Sequence, residues 1–105
     1  MDTVARFGGD EFVVMLTELD TDKAESSAQA SIIAEKIRAV LGQPYLLTGQ
    51  LDRFSTYPVE HRCTASIGVT LFIGHEAGVD EVTKHADRAM YRAKEAGRNT
   101  IRFYE

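Results

Sequence analysis

The chain has 105 residues, 44% of them hydrophobic, with a formal net charge of −4 at pH 7. That length holds at most one small domain with a modest core. The acidic balance gives no field for gripping a nucleic-acid polymer, so a nucleotide ligand would be small and metal-bridged. No apolar stretch approaches the ~20 residues of a membrane span, and residues 1–20 lack the pattern of a secretory signal, so this segment is not expected to insert in a membrane. A single cysteine, Cys63, excludes an internal disulfide and a thiolate zinc cluster. It fits a reducing cytosol and reads as a buried spectator thiol rather than a catalytic one.

In chain order, Thr3 to Phe7 and Phe12 to Thr17 carry β-branched and aromatic residues on either side of Gly8-Gly9-Asp10-Glu11, the pattern of two strands joined by a short turn. From Asp22 to Leu41, Ala30, Ile33, Ile37 and Val40 recur at helical spacing. Asp22 and Glu25 stand at the acidic start, and Gly42 and Pro44 act as stops. Between Tyr45 and Arg62 the pattern weakens to a long connection with room for a ragged hairpin. Thr64 to Ile73 alternates cleanly, with Ala65, Ile67, Val69, Leu71 and Ile73 on one face, and is predicted as a strand against a helical layer. A second helix is expected from Val79 or Asp80 to Ala96, with Val82, Ala86, Ala89, Met90 and Ala93 as its apolar stripe and Gly97 as its stop. Thr100 to Tyr104 reads as a last short strand. The order β-β-α-β-α-β predicts an α+β fold with two main helices against a mostly antiparallel sheet.

Chemistry concentrates at the first turn. Asp10 and Glu11 are adjacent carboxylates, and hard divalent cations such as Mg²⁺ take oxygen ligands of this kind, sharing them with phosphate and water. Gly8 and Gly9 would let a phosphate or ribose approach the backbone. Taken alone, a Gly-Gly-Asp turn is a common hairpin connection. Lys94 and Arg98 stand four apart near the end of the second helix, where cations also complement the helix dipole. Their spacing sets them one turn apart if the helix persists that far. Asp87, Arg88 and Arg92 read as solvated or locally paired, and His61, His75 and His85 have no metal-ligand spacing.

Three blocks, Arg6-Phe-Gly-Gly-Asp-Glu-Phe-Val-Val-Met-Leu16, Ala65-Ser-Ile-Gly-Val69 and Ala86-Asp-Arg-Ala-Met-Tyr-Arg-Ala-Lys-Glu-Ala-Gly-Arg-Asn99, stand in this order. In them the chain resembles the GGDEF family of diguanylate cyclases. The resemblance covers nearly the whole chain apart from a loop between about Leu47 and Arg62 that is longer than usual for the family. It implies the C-terminal portion of a single GGDEF domain over residues 1–105. The fold would be part of a ferredoxin-like nucleotide-cyclase arrangement, with the family's N-terminal strand and first helices missing.

The implied reaction condenses two GTP, one on each of two facing domains, into cyclic di-GMP with release of pyrophosphate. Such phosphoryl chemistry rests on positioning and on charge neutralisation by Mg²⁺ or Mn²⁺. By this resemblance Asp10 and Glu11 serve the metal and catalysis, with Asp10 also helping to deprotonate or orient the 3′-hydroxyl. Gly8 and Gly9 line the nucleotide, and Lys94 and Arg98 contact its terminal phosphates. Asp2 stands where the family's inhibitory Arg-x-x-Asp motif has its aspartate, with the arginine falling ahead of Met1. Lys36 occupies a place where some members use a second arginine for the same product, although alone it reads as a solvated helix-face lysine. Partners implied are GTP, cyclic di-GMP, a second copy of the domain, and an EAL domain following in the same chain. The location implied is cytoplasmic, with a parent that can still be membrane-anchored, and the segment by itself is expected to be inactive. The alternative is a non-catalytic GTP-binding or dimerisation module attached to a cyclic di-GMP phosphodiesterase.

Overall fold

Alternation around a glycine pair produces the first element of the chain. In the computed structural model, which describes residues 2–74 and 78–104, β1 (Thr3–Gly8) and β2 (Glu11–Met15) form an antiparallel hairpin. The register runs from Thr3 opposite Met15 to Gly8 opposite Glu11, with an irregularity between Arg6 and Gly8. Asp2 Oδ1 accepts the Thr17 backbone N–H at 3.3 Å and ties the open end. Both faces of the hairpin are solvated, so Val4, Phe7, Phe12 and Val14 are exposed.

Helix α1 (Lys23–Leu41) begins where Asp22 caps it. The Asp22 carboxylate accepts the N–H groups of Ala24 at 2.8 Å and Glu25 at 3.2 Å, satisfying donors that have no partner within the helix. Its buried stripe is Ser26, Ala30 and Ala34, flanked by half-buried Ile33 and Ile37. Val40, expected on that stripe, is exposed. By contacts the chain divides into Met1–Ile32 and Ile33–Glu105, a boundary that falls within α1.

The second unit contains more regular structure than the sequence predicts. β3 (Tyr45–Gln50) and β4 (Thr56–His61) pair antiparallel over six residues each, so the connection holds a well-registered hairpin. Its register is supported by the Tyr57 ring, which covers the opposite Gly49. Its tip is closed by Asp52, whose carboxylate accepts the N–H groups of Phe54 at 2.8 Å and Ser55 at 2.9 Å and is thereby held below its ordinary pKa.

The strand expected over Thr64 to Ile73 shortens to β5 (Ile67–Val69). It pairs in parallel with β6 (Ile101–Phe103), which is itself only three residues long, and a ladder cannot outrun its partner. The Ile67 N–H to Thr100 carbonyl bond at 3.0 Å and the Tyr104 N–H to Val69 carbonyl bond at 2.8 Å extend the ladder slightly. Ile73 is consequently exposed rather than on a covered face. Among the described residues the strands therefore make three two-stranded sheets, two antiparallel and one parallel, within the α+β class and with the expected order of elements.

Helix α2 (Val79–Glu95) links β5 to β6 and packs closely on β5. Ala89 and Ala93 are fully buried. At Gly68 the two backbones approach so closely that a Cβ would overlap the Ala86 carbonyl and the Met90 nitrogen and stand 2.8 Å from Met90 Cα. Gly68→Ala should therefore cost at least about 1–3 kcal/mol through overpacking against backbone that cannot yield locally. A urea midpoint equal to that of the unsubstituted chain would contradict the close approach.

Candidate functional site

The Gly-Gly-Asp-Glu turn combines permissive backbone with free carboxylates. Gly8 has φ +148° and Gly9 φ +52°, while Asp10 is not in the left-handed region. Positive φ at the first residue of a two-residue loop and not at the second is the II′ hairpin pattern, which takes glycine there. A Cβ on either glycine would meet nothing within 4 Å, so backbone conformation rather than crowding calls for glycine, and the space over the turn is open. Asp10 is exposed and Glu11 half-buried. Among the described residues neither carboxylate has a hydrogen-bond or ion-pair partner.

Arg6 clamps this turn, a role that the motif spelling does not reveal. Its Nε and Nη2 both donate to the Gly9 carbonyl, at 3.0 and 2.9 Å. The guanidinium fork thus bridges the loop from the strand before it, which only arginine among the cations can do through two donors of one plane. Arg6 lies three residues before Gly9, within the irregular stretch of β1, and that bulge was not legible in the strand pattern.

The second group of candidates sits at the end of α2. Lys94 lies in its last turn, but the helix stops at Glu95, with Ala96 as its cap. Arg98 is therefore not on the helix one turn beyond Lys94. Gly97 (φ +107°), Arg98 (+64°) and Asn99 (+48°) form a left-handed run. The Arg98 N–H bonds the Ala93 carbonyl at 3.1 Å and the Gly97 N–H the Lys94 carbonyl at 3.3 Å, the paired bonds of a Schellman termination. Lys94 and Arg98 are exposed, and neither side chain is paired among the described residues.

The remaining candidates occupy ordinary surroundings. Asp2 is engaged at the foot of the hairpin, and Lys36 is an exposed residue of α1. Asp87, Arg88 and Arg92 are solvated, as expected. His61 tilts against Tyr45 at a ring separation of 5.2 Å, and His85 stacks on Tyr104 at 3.9 Å with Glu81 nearby, contacts of packing rather than ligation. His75 lies outside the described residues. Cys63 is exposed, not buried as expected, because the β3–β4 hairpin preceding it stands in solvent. It donates to the Leu41 carbonyl at 3.5 Å and lies 3.7 Å from the Tyr45 hydroxyl, a contact that raises the Tyr45 pKa.

Among the described residues no group of three His, Cys, Asp or Glu side chains could enclose a metal. Two unpaired carboxylates on an open turn suit a hard cation that keeps most of its shell as water and phosphate oxygens, which is how Mg²⁺ binds. The donor chemistry fits, as a partial ligand set. No helix among the described residues is long and apolar enough to cross a membrane.

Residues 1–100 match the family model described as diguanylate cyclase, GGDEF domain. The chain belongs to the GGDEF family. It is 40% identical over 104 residues to the bifunctional diguanylate cyclase/cyclic di-GMP phosphodiesterase MucR of Pseudomonas aeruginosa, covering 99% of this chain and 13% of MucR. It is 36% identical over 100 residues to the probable diguanylate cyclase DgcT of Escherichia coli (95% of this chain, 20% of the relative). With the diguanylate cyclase DgcP of Pseudomonas aeruginosa it shares 39% over 101 residues (95% and 13%). This GGDEF chain thus spans between about an eighth and a fifth of the length of these relatives and is a diguanylate cyclase-type domain sequence of cyclic di-GMP signalling.

If Arg6 holds the GGDEF turn, Arg6→Ala should accelerate amide exchange at Asp10 and Glu11 by about two- to tenfold, the worth of a net hydrogen bond. Exchange rates unchanged at both amides would refute the clamp.

Proposed function

We propose that this chain is the C-terminal portion of one GGDEF domain, and that the full-length protein carrying it condenses two GTP into cyclic di-GMP and pyrophosphate. The observation that carries this reading is the intact turn of Gly8, Gly9, Asp10 and Glu11, with backbone open to a ligand and both carboxylates uncommitted. Asp10 and Glu11 would hold Mg²⁺ or Mn²⁺, which when bound neutralises phosphate charge and favours ionisation of the attacking hydroxyl. Asp10 orients the 3′-hydroxyl and accepts its proton. Gly8 and Gly9 admit the nucleotide against the main chain, and Lys94 and Arg98 bind the terminal phosphates as point charge and planar fork respectively. No covalent nucleophile is required, since positioning and charge stabilisation carry phosphoryl transfer.

Each hydroxyl attacks the α-phosphate held by a second copy, so the working state is a homodimer of facing domains in the cytoplasm, where GTP is available. Asp2 and Lys36 belong to a product-inhibition site. The phosphodiesterase part of MucR's description motivates a second reading, a non-catalytic GTP-binding or dimerisation module regulating an EAL phosphodiesterase domain of the same chain.

Turnover of GTP by the full-length protein separates the two. The cyclase reading expects cyclic di-GMP formation that falls at least about a hundredfold in both Asp10→Ala and Glu11→Ala, the scale on which transition-state charge stabilisers act. GTP binding without product, accompanied by GTP-dependent phosphodiesterase activity, would replace it with the regulatory reading.

A further inference from the structure

One side-chain contact outside the turn ties the loop bearing Arg98 to the other helix. Arg38, in the last turn of α1, donates from Nη1 to Asn99 Oδ1 at 2.9 Å across 61 residues of sequence. The same guanidinium is held along α1 by Glu35, through Nε to Oε2 at 2.9 Å and through Nη2 to Oε1. This pairing lowers the Glu35 pKa, chiefly by hydrogen bonding to Arg38. Two sides of the fork are thus fixed on α1, and the third reaches the loop.

What it reaches is unusual backbone. Gly97, Arg98 and Asn99 are consecutive left-handed residues, and only the first is glycine. Left-handed conformation is unfavourable for an arginine, and asparagine tolerates it better than most. The Schellman bonds anchor Gly97 and Arg98 through their backbone N–H groups, and Arg38 anchors the Asn99 side chain. Arg98 therefore lies in a loop fixed at both ends, while its own guanidinium is unpaired among the described residues.

We propose that Arg38, oriented by Glu35, is a positioning residue for the triphosphate: its bond to Asn99 keeps residues 97–99 left-handed and so fixes where Arg98 stands after Lys94. This rests on the reading of Lys94 and Arg98 as phosphate contacts. Without the bond the strained residues relax, and the loss falls on the terminal phosphates rather than on the nucleoside or its first phosphate.

The test measures dissociation constants of the full-length protein for a non-hydrolysable GTP analogue and for GMP, both with Mg²⁺. Arg38→Gln removes the donor, and Asn99→Gly removes the acceptor while keeping positive φ accessible. Asn99→Asp restores an acceptor, and Arg98→Ala serves as the reference. The expected result is that Arg38→Gln and Asn99→Gly weaken the analogue about three- to tenfold, the range of one net hydrogen bond, and leave GMP unchanged, while Asn99→Asp binds as the unsubstituted protein. Should Arg38→Gln fail to fold, the exposed Asn99→Gly substitution gives the same reading. Equal weakening of analogue and GMP overturns the proposal in favour of a purely structural contact. Unchanged analogue binding in Arg38→Gln and Asn99→Gly, with weakening in Arg98→Ala, overturns the positioning role and leaves the phosphate reading standing. Unchanged binding in Arg98→Ala removes the phosphate reading and the positioning role with it.

Discussion

Left-handed backbone shapes the two turns on which the account of this chain depends. These are Gly8 and Gly9, where the first hairpin reverses, and Gly97, Arg98 and Asn99, where α2 gives way to β6; Glu18 and Gly74 also have positive φ. Asp10 and Glu11 follow the first reversal, and Arg98 lies within the second. At the hairpin the glycines meet the conformational demand without strain, and the carboxylates follow immediately. After α2 only the first of the three residues is glycine, so the conformation is held by contacts instead. The Schellman bonds and the Arg38–Asn99 contact are those contacts.

The charges of the chain divide by commitment. Arg6 and Arg38 are committed, one to the Gly9 carbonyl and one to Glu35 and the Asn99 side chain, so each contacts a candidate loop. Asp10, Glu11, Lys94 and Arg98 are uncommitted among the described residues. Exposed charges left unpaired cost little in water, so stability alone does not require Asp10, Lys94 and Arg98 to stand where they do. Asp10 and Glu11 suit a hard cation that keeps water and phosphate oxygens in its shell, and Lys94 and Arg98 have the charge to contact phosphate.

The sequence showed the elements whose signals are local. Alternation around Gly8-Gly9 marked the first hairpin, Asp22 marked the start of α1, and the alanine stripe with Gly97 marked α2 and its stop. The losses are those of pairing and three-dimensional approach. Alternation from Thr64 to Ile73 announced a long strand, but a strand lasts only as far as its partner, and β6 gives three residues. The β3–β4 hairpin was blurred by Gly49 and Pro58, whose places are made regular by the Tyr57 ring and by an edge position that composition does not reveal. A spacing of four suggested a helical Lys94–Arg98 pair, whereas Gly97 turns the chain first. The roles of Arg6 and Arg38 depend on which carbonyl or amide a long side chain reaches, and no spacing rule encodes that. The motif itself was fully legible, and the family match over residues 1–100 spans it.

On the proposed function, the Gly8-Gly9-Asp10-Glu11 turn holds a metal-bound nucleotide. Paramagnetic relaxation by Mn²⁺ tests it most directly, with amide resonances of the full-length protein followed as Mn²⁺ is added in the presence of a non-hydrolysable GTP analogue. The Asp10 and Glu11 amides should broaden first, with Gly8 and Gly9 close behind, and Asp10→Ala with Glu11→Ala should abolish the effect. Broadening centred elsewhere, or unchanged by that double substitution, would contradict it.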